Sequence, residues 1–145
     1  MNDISDITAE QIAMRRIYID AWKKYQENVP MEPMEQLIGD VIVNHPEYHP
    51  YFIDNEDNLH KEFTETNPFL HIAMHIALFE QLQINRPQGI VKIYQELCKH
   101  DDEHNVQHRV LEVLSELMWE MMQNQTPYDD KIYLKRLKKL ITTHP

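Results

Sequence analysis

Between its prolines this chain repeats apolar residues at intervals of three and four, and only two glycines interrupt its 145 residues. That spacing lines one face of an α-helix. A chain so poor in glycine has few of the positive-φ positions that tight hairpins need, and no alternating run long enough for a half-buried strand persists.

The prolines and polar caps partition the pattern. Thr8 with Gln11 makes a capping box, and Ile7 with Ile12 a hydrophobic staple; the helix that follows runs to about Glu27, with Met14, Ile17, Tyr18, Ala21, Trp22 and Tyr25 on its apolar face. Pro33 opens a second helix carrying Met34, Leu37, Ile38, Val41 and Ile42. It must end near His45, because Pro46 disfavours helical geometry at the residue before it. Asn67-Pro68 reads as N-cap and first-turn proline for a helix to about Asn85. Pro87 opens the next, with Ile90, Ile93, Tyr94 and Leu97, and Asp101 or Asp102 caps another to about Gln123. Thr126-Pro127 opens the last, with Ile132, Leu137, Leu140 and Ile141. Residues 46–66 show no period and form an irregular His/Pro/acidic segment; a stretch of that length inside a compact domain tends to be functional. The expected fold is all-α, a single-domain helical bundle of five to six helices over residues 1–145.

A net charge of −10 argues against a nucleic-acid groove or an anionic membrane surface as partner. No apolar run approaches the ~20 residues that span a bilayer. Met1 to Glu10 lacks a basic-then-apolar signal, and the single Cys98 excludes an internal disulfide. A cytoplasmic protein is expected, with no nucleic-acid or membrane partner.

The chemistry lies in nine histidines. Four pairs stand four residues apart: His45/His49, His71/His75, His100/His104 and His104/His108. Random placement would give roughly half a pair at this spacing, which puts two side chains on one helix face. His71 and His75 fall inside an apolar arc with Ile72, Leu78, Phe79 and Leu82, where imidazoles must be hydrogen-bonded or bind something. His104, His108 and Glu112 make three successive four-residue steps along the border of an apolar arc. Glu80 lies nine residues beyond His71, about 180° around the helix, and drops out; Glu47, between two prolines, keeps an undetermined direction. His100 falls in the loop before its helix and reads as a surface residue, and His60 and His144 have no supporting pattern. Clustered imidazole and carboxylate suit zinc, iron, nickel or manganese, and the lack of thiolates argues against a structural cysteine-rich zinc site. No phosphate-binding glycine loop or serine-nucleophile elbow is present, so no organic cofactor is indicated.

His45-Pro46-Glu47-Tyr48-His49, Asn67-Pro68-Phe69-Leu70-His71 with His75 and Glu80-Gln81, Arg86-Pro87 with Gly89-Ile90, and Glu103-His104 with His108-Arg109 occur in that order, after Ala21-Trp22. This set resembles the bacterial domain-of-unknown-function 1841 family. The resemblance implies a small cytoplasmic proteobacterial protein in which these histidine motifs are hallmarks, and it implies no activity. Metal-binding helical bundles of the hemerythrin-like and DinB-like kinds offer an architectural analogy only.

Two readings follow. In the first, the protein is a helical metalloprotein with His71, His75, His104 and His108 as inner ligands and His45, His49 or Glu112 completing the shell, serving metal-dependent hydrolysis or redox and oxygen sensing. In the second it is a non-enzymatic adaptor with a buried histidine network, binding a protein partner or its own copy through a face such as Met118, Trp119 and Met122.

Overall fold

In a computed structural model that describes residues 7–142, every regular element is helical. Seven α-helices are present among these residues: α1 Ala9–Glu27, α2 Pro33–Val43, α3 Glu56–His60, α4 Pro68–Ile84, α5 Ile90–Cys98, α6 Glu103–Asn124 and α7 Asp130–Thr142. A 3-10 helix, Pro46–Phe52, stands between α2 and α3. The all-α expectation is met. The helix count exceeds five to six because the segment 46–66, read as irregular, carries two short helices. No helix is long and apolar enough to cross a membrane. The chain divides into two compact units, one running through Ile76 and the other from Ala77, with the boundary inside α4.

In the first unit the capping box forms as the sequence predicts: the Gln11 N–H donates to Thr8 Oγ1 at 3.1 Å and the Thr8 N–H to Gln11 Oε1 at 3.0 Å. α1 stops at Asn28, whose φ of 57° lies in the left-handed region. The buried face of α1 is rotated from the expected one. Arg15, Tyr18, Ile19, Ala21 and Trp22 are buried, while Met14 and Ile17 are exposed. Against it, α2 buries Ile38, Gly39 and Ile42. Gly39 allows the close approach, since a β-carbon there would fall on the Tyr25 ring.

Residues 50–61 owe their order to polar side chains rather than to apolar periodicity. Asn58 donates to the carbonyls of Pro50 and Ile53 at 3.1 and 2.7 Å. Arg15, only 4% exposed, donates through Nη1 to the carbonyls of Asn58, Leu59 and Lys61 at 3.2, 3.3 and 2.8 Å. Its guanidinium thus satisfies carbonyls that the end of α3 leaves open, and it lies over the rings of Phe69 and Phe63 at 4.8 and 5.4 Å. Burial lowers its pKa.

In the second unit, α5 begins three residues after Pro87, and α7 three after Pro127. Neither proline starts its helix, because side-chain caps do. Asn85 Oδ1 accepts from Gly89 and Val91 at 3.2 and 3.1 Å, and Gly89 supplies the φ of 105° that the entry to α5 needs. Asp129 Oδ1 accepts from Lys131 at 2.8 Å. Asp102 caps α6, accepting from Asn105 at 2.9 Å. The faces of α5 and α6 close on Ile90, Ile93, Leu97, Val106, Val110, Leu114 and Leu117. Fully buried Tyr133, from α7, donates to Gln81 Oε1 at 2.9 Å.

Candidate metal centre

The first unit brings together three of the seven ligands expected from the sequence. Pro46 ends α2 and turns the chain into the 3-10 helix, which leaves His45 at the corner with its ring buried, 3% exposed. α4 presents His71 and His75 one turn apart, and His75 is 6% exposed. The ring centroids form a nearly equilateral triangle: His45–His71 4.9 Å, His45–His75 4.7 Å and His71–His75 4.8 Å. His71 Nε2 lies 3.3 Å from His45 Nε2 and 3.1 Å from His75 Nε2.

Those distances are compatible with ligands around one ion as well as with hydrogen bonds. With metal–nitrogen bonds of 2.0–2.1 Å, tetrahedral geometry places neighbouring nitrogens about 3.3 Å apart. The tautomer of His45 is also fixed. Its Nδ1 lies 2.8 Å from the Val41 carbonyl, a group that only accepts, so Nδ1 carries the hydrogen. In the neutral ring Nε2 then offers its lone pair. This is how a carbonyl behind a metal-ligating histidine sets the ligating nitrogen and orients the ring. His71 Nε2 faces two other nitrogens, and one hydrogen on it makes only one linear hydrogen bond. A cation among the three would take all three lone pairs.

Tyr48 packs on the group, its ring parallel to His45 at 5.8 Å and edge-on to His71 at 5.5 Å. Burial raises the Tyr48 pKa, keeping the phenol neutral. Tyr48 enters from the sequence only as part of the His45–His49 motif, and Arg15 not at all. For Arg15 the signal was there: it lies three, four and seven residues before Tyr18, Ile19 and Trp22, on the face that is buried.

The remaining expected ligands are described each within its own unit. His49 donates from Nε2 to the Ile42 carbonyl at 2.8 Å and lies against the Trp22 ring at 4.6 Å. In the second unit His104 and His108 meet, centroids 4.3 Å apart and rings perpendicular; His108 is half-buried, His104 and Glu112 exposed. Glu80 is exposed, in keeping with its helical angle, and so is Glu47. His60 donates to the Glu56 carbonyl at 3.0 Å and His100 sits 3.6 Å from Glu96. His144 lies outside the described residues.

The pattern of a family described as a domain of unknown function, DUF1841, matches residues 10–139. No curated protein and no solved structure matches the chain. The matched span contains every motif on which the resemblance rested, from Ala21-Trp22 to His108-Arg109. The chain belongs to the DUF1841 family.

Proposed function

We propose that the protein binds a transition-metal ion through the Nε2 atoms of His45, His71 and His75. The observation that carries this reading is the pair of Nε2 separations, 3.3 and 3.1 Å, on three buried or half-buried rings, one with its tautomer set by a carbonyl. His104, His108 and Glu112, also expected from the sequence as ligands, belong to the second unit. His104 and Glu112 are exposed, and His49 has its Nε2 committed to a carbonyl. An all-imidazole set suits zinc, nickel and iron; manganese, which favours oxygen, fits it less well. With water in the fourth place, the three histidines would hold a Lewis acid of the kind that serves hydrolysis. A redox or sensing role follows instead if the ion is iron.

The second reading, an adaptor in which the same rings are a structural network, draws on the same distances, which also fall in hydrogen-bond range. Elemental analysis of tag-free protein, followed by metal titration of the chelated protein and of His71→Ala, separates the two. Near one equivalent of metal is expected, lost in His71→Ala. Less than about a tenth of an equivalent, with no metal-dependent rise in melting temperature, overturns the metal reading in favour of the network. Because protons compete for the same lone pairs, affinity falls as the pH is lowered.

A further inference from the structure

We infer that a cleft formed by α5 and α7 binds a small amphipathic anion, an organic acid with an apolar tail and a carboxylate head. The cleft lies wholly within the second unit and holds about 630 Å³, in the range of small-molecule sites. Ile93, Leu134 and Ile141 line it from positions that are buried or half-buried, whereas Lys92, Lys99 and Lys138 line it from exposed ones. An apolar floor under a cationic rim matches an acid whose tail leaves water while its head stays in it.

The charges on the rim are not all equivalent. Lys99 donates to Glu96 at 3.2 Å, and His100 lies 3.6 Å from the same carboxylate; the lysine holds the Glu96 carboxyl below its ordinary range. Lys92 and Lys138 have no carboxylate partner among the described residues. Two cations without a carboxylate partner among the described residues, at one apolar cleft in a chain of net charge −10, are complementary to an anion. Size argues for a small ligand rather than a protein. A stable protein interface engages roughly 20–30 residues a side, and ten residues line the cleft.

The test is a titration of the full chain with octanoate at low salt, alongside 1-octanol and hexanoate, read by calorimetry and by amide chemical shifts. Octanoate is expected to bind saturably, with shifts confined to residues 88–99 and 134–141. Octanol, which keeps the tail and lacks the charge, is expected to bind roughly fivefold to tenfold more weakly, the worth of two partly exposed ion pairs. Hexanoate should lose about twofold to fourfold per methylene removed. The Lys92→Glu/Lys138→Glu variant alters only exposed positions, so it keeps its melting temperature and loses octanoate binding. Absence of saturable binding, equal binding of octanoate and octanol, or unchanged affinity in the charge-reversed variant would each overturn the inference.

Discussion

His45 and His49 both donate to a backbone carbonyl of α2, but through different ring nitrogens. That choice gives them opposite parts to play. His45 uses Nδ1 on Val41 and turns Nε2 toward His71, whereas His49 uses Nε2 on Ile42 and rests on Trp22. A pair read from spacing as two equivalent ligands is thereby one ligand candidate and one clamp on the end of α2. The same scale explains Gly39. A β-carbon there would fall on the Tyr25 ring, and both partners are held by the packing of α1 against α2. Gly39→Ala is expected to lose about 1–3 kcal/mol, the usual cost of overpacking, despite the better helix propensity of alanine. Chemical denaturation measures it; a stability equal to or above that of the parent would show that Tyr25 moves aside without cost.

At the scale of the element, starts are set by side chains that accept backbone N–H groups. Thr8, Asn85, Asp102 and Asp129 do this ahead of α1, α5, α6 and α7. Where sequence and structure differ, at Pro87 and Pro127, the proline is compatible with the approach to a helix but a nearby Asn or Asp closes the cap. Asp102→Ala should therefore cost about 1 kcal/mol and speed amide exchange over the first turn of α6 while the far end stays protected. Uniform loss along the helix would mean that its start is fixed by packing instead. The caps at Thr8 and Asp102, the apolar faces of α5 and α6 and the His71/His75 pair were legible, because each rests on neighbours within four residues. The rotation of α1 was not, since Met14 and Ile17 are as apolar as Ile19 and only the partners of the helix choose among them.

For the molecule as a whole, the tyrosines of the second unit set an alkaline limit. Burial raises the pKa of Tyr133 and of Tyr94 well above the ordinary value of 10.0; Tyr94 also donates to Glu103 at 3.0 Å, which raises it further. A folded-state pKa above the unfolded one means that the folded chain retains a proton the unfolded chain has released. The stabilisation is complete below pH 10 and is lost as pH climbs from there toward the folded value. The melting temperature should fall steeply above pH 10, and Tyr133→Phe should flatten that fall while lowering stability at neutral pH by leaving Gln81 without its donor. A variant with the parent's alkaline slope would assign the loss to other groups.

The sequence by itself determined the helical class, the position and capping of most elements, the exclusion of Glu80 and the presence of two histidines on the buried arc of α4. All of these follow from the period of one helix and from contacts between residues one turn apart. Only the tertiary structure decided that His45 meets His71 across 26 residues, that His49 turns to Trp22, and that Arg15 orders residues 58–61 from inside the first unit. Those contacts join segments with no period in common. Their existence depends on how the turn after Pro46 aims the chain and on which carbonyls burial leaves needing a donor.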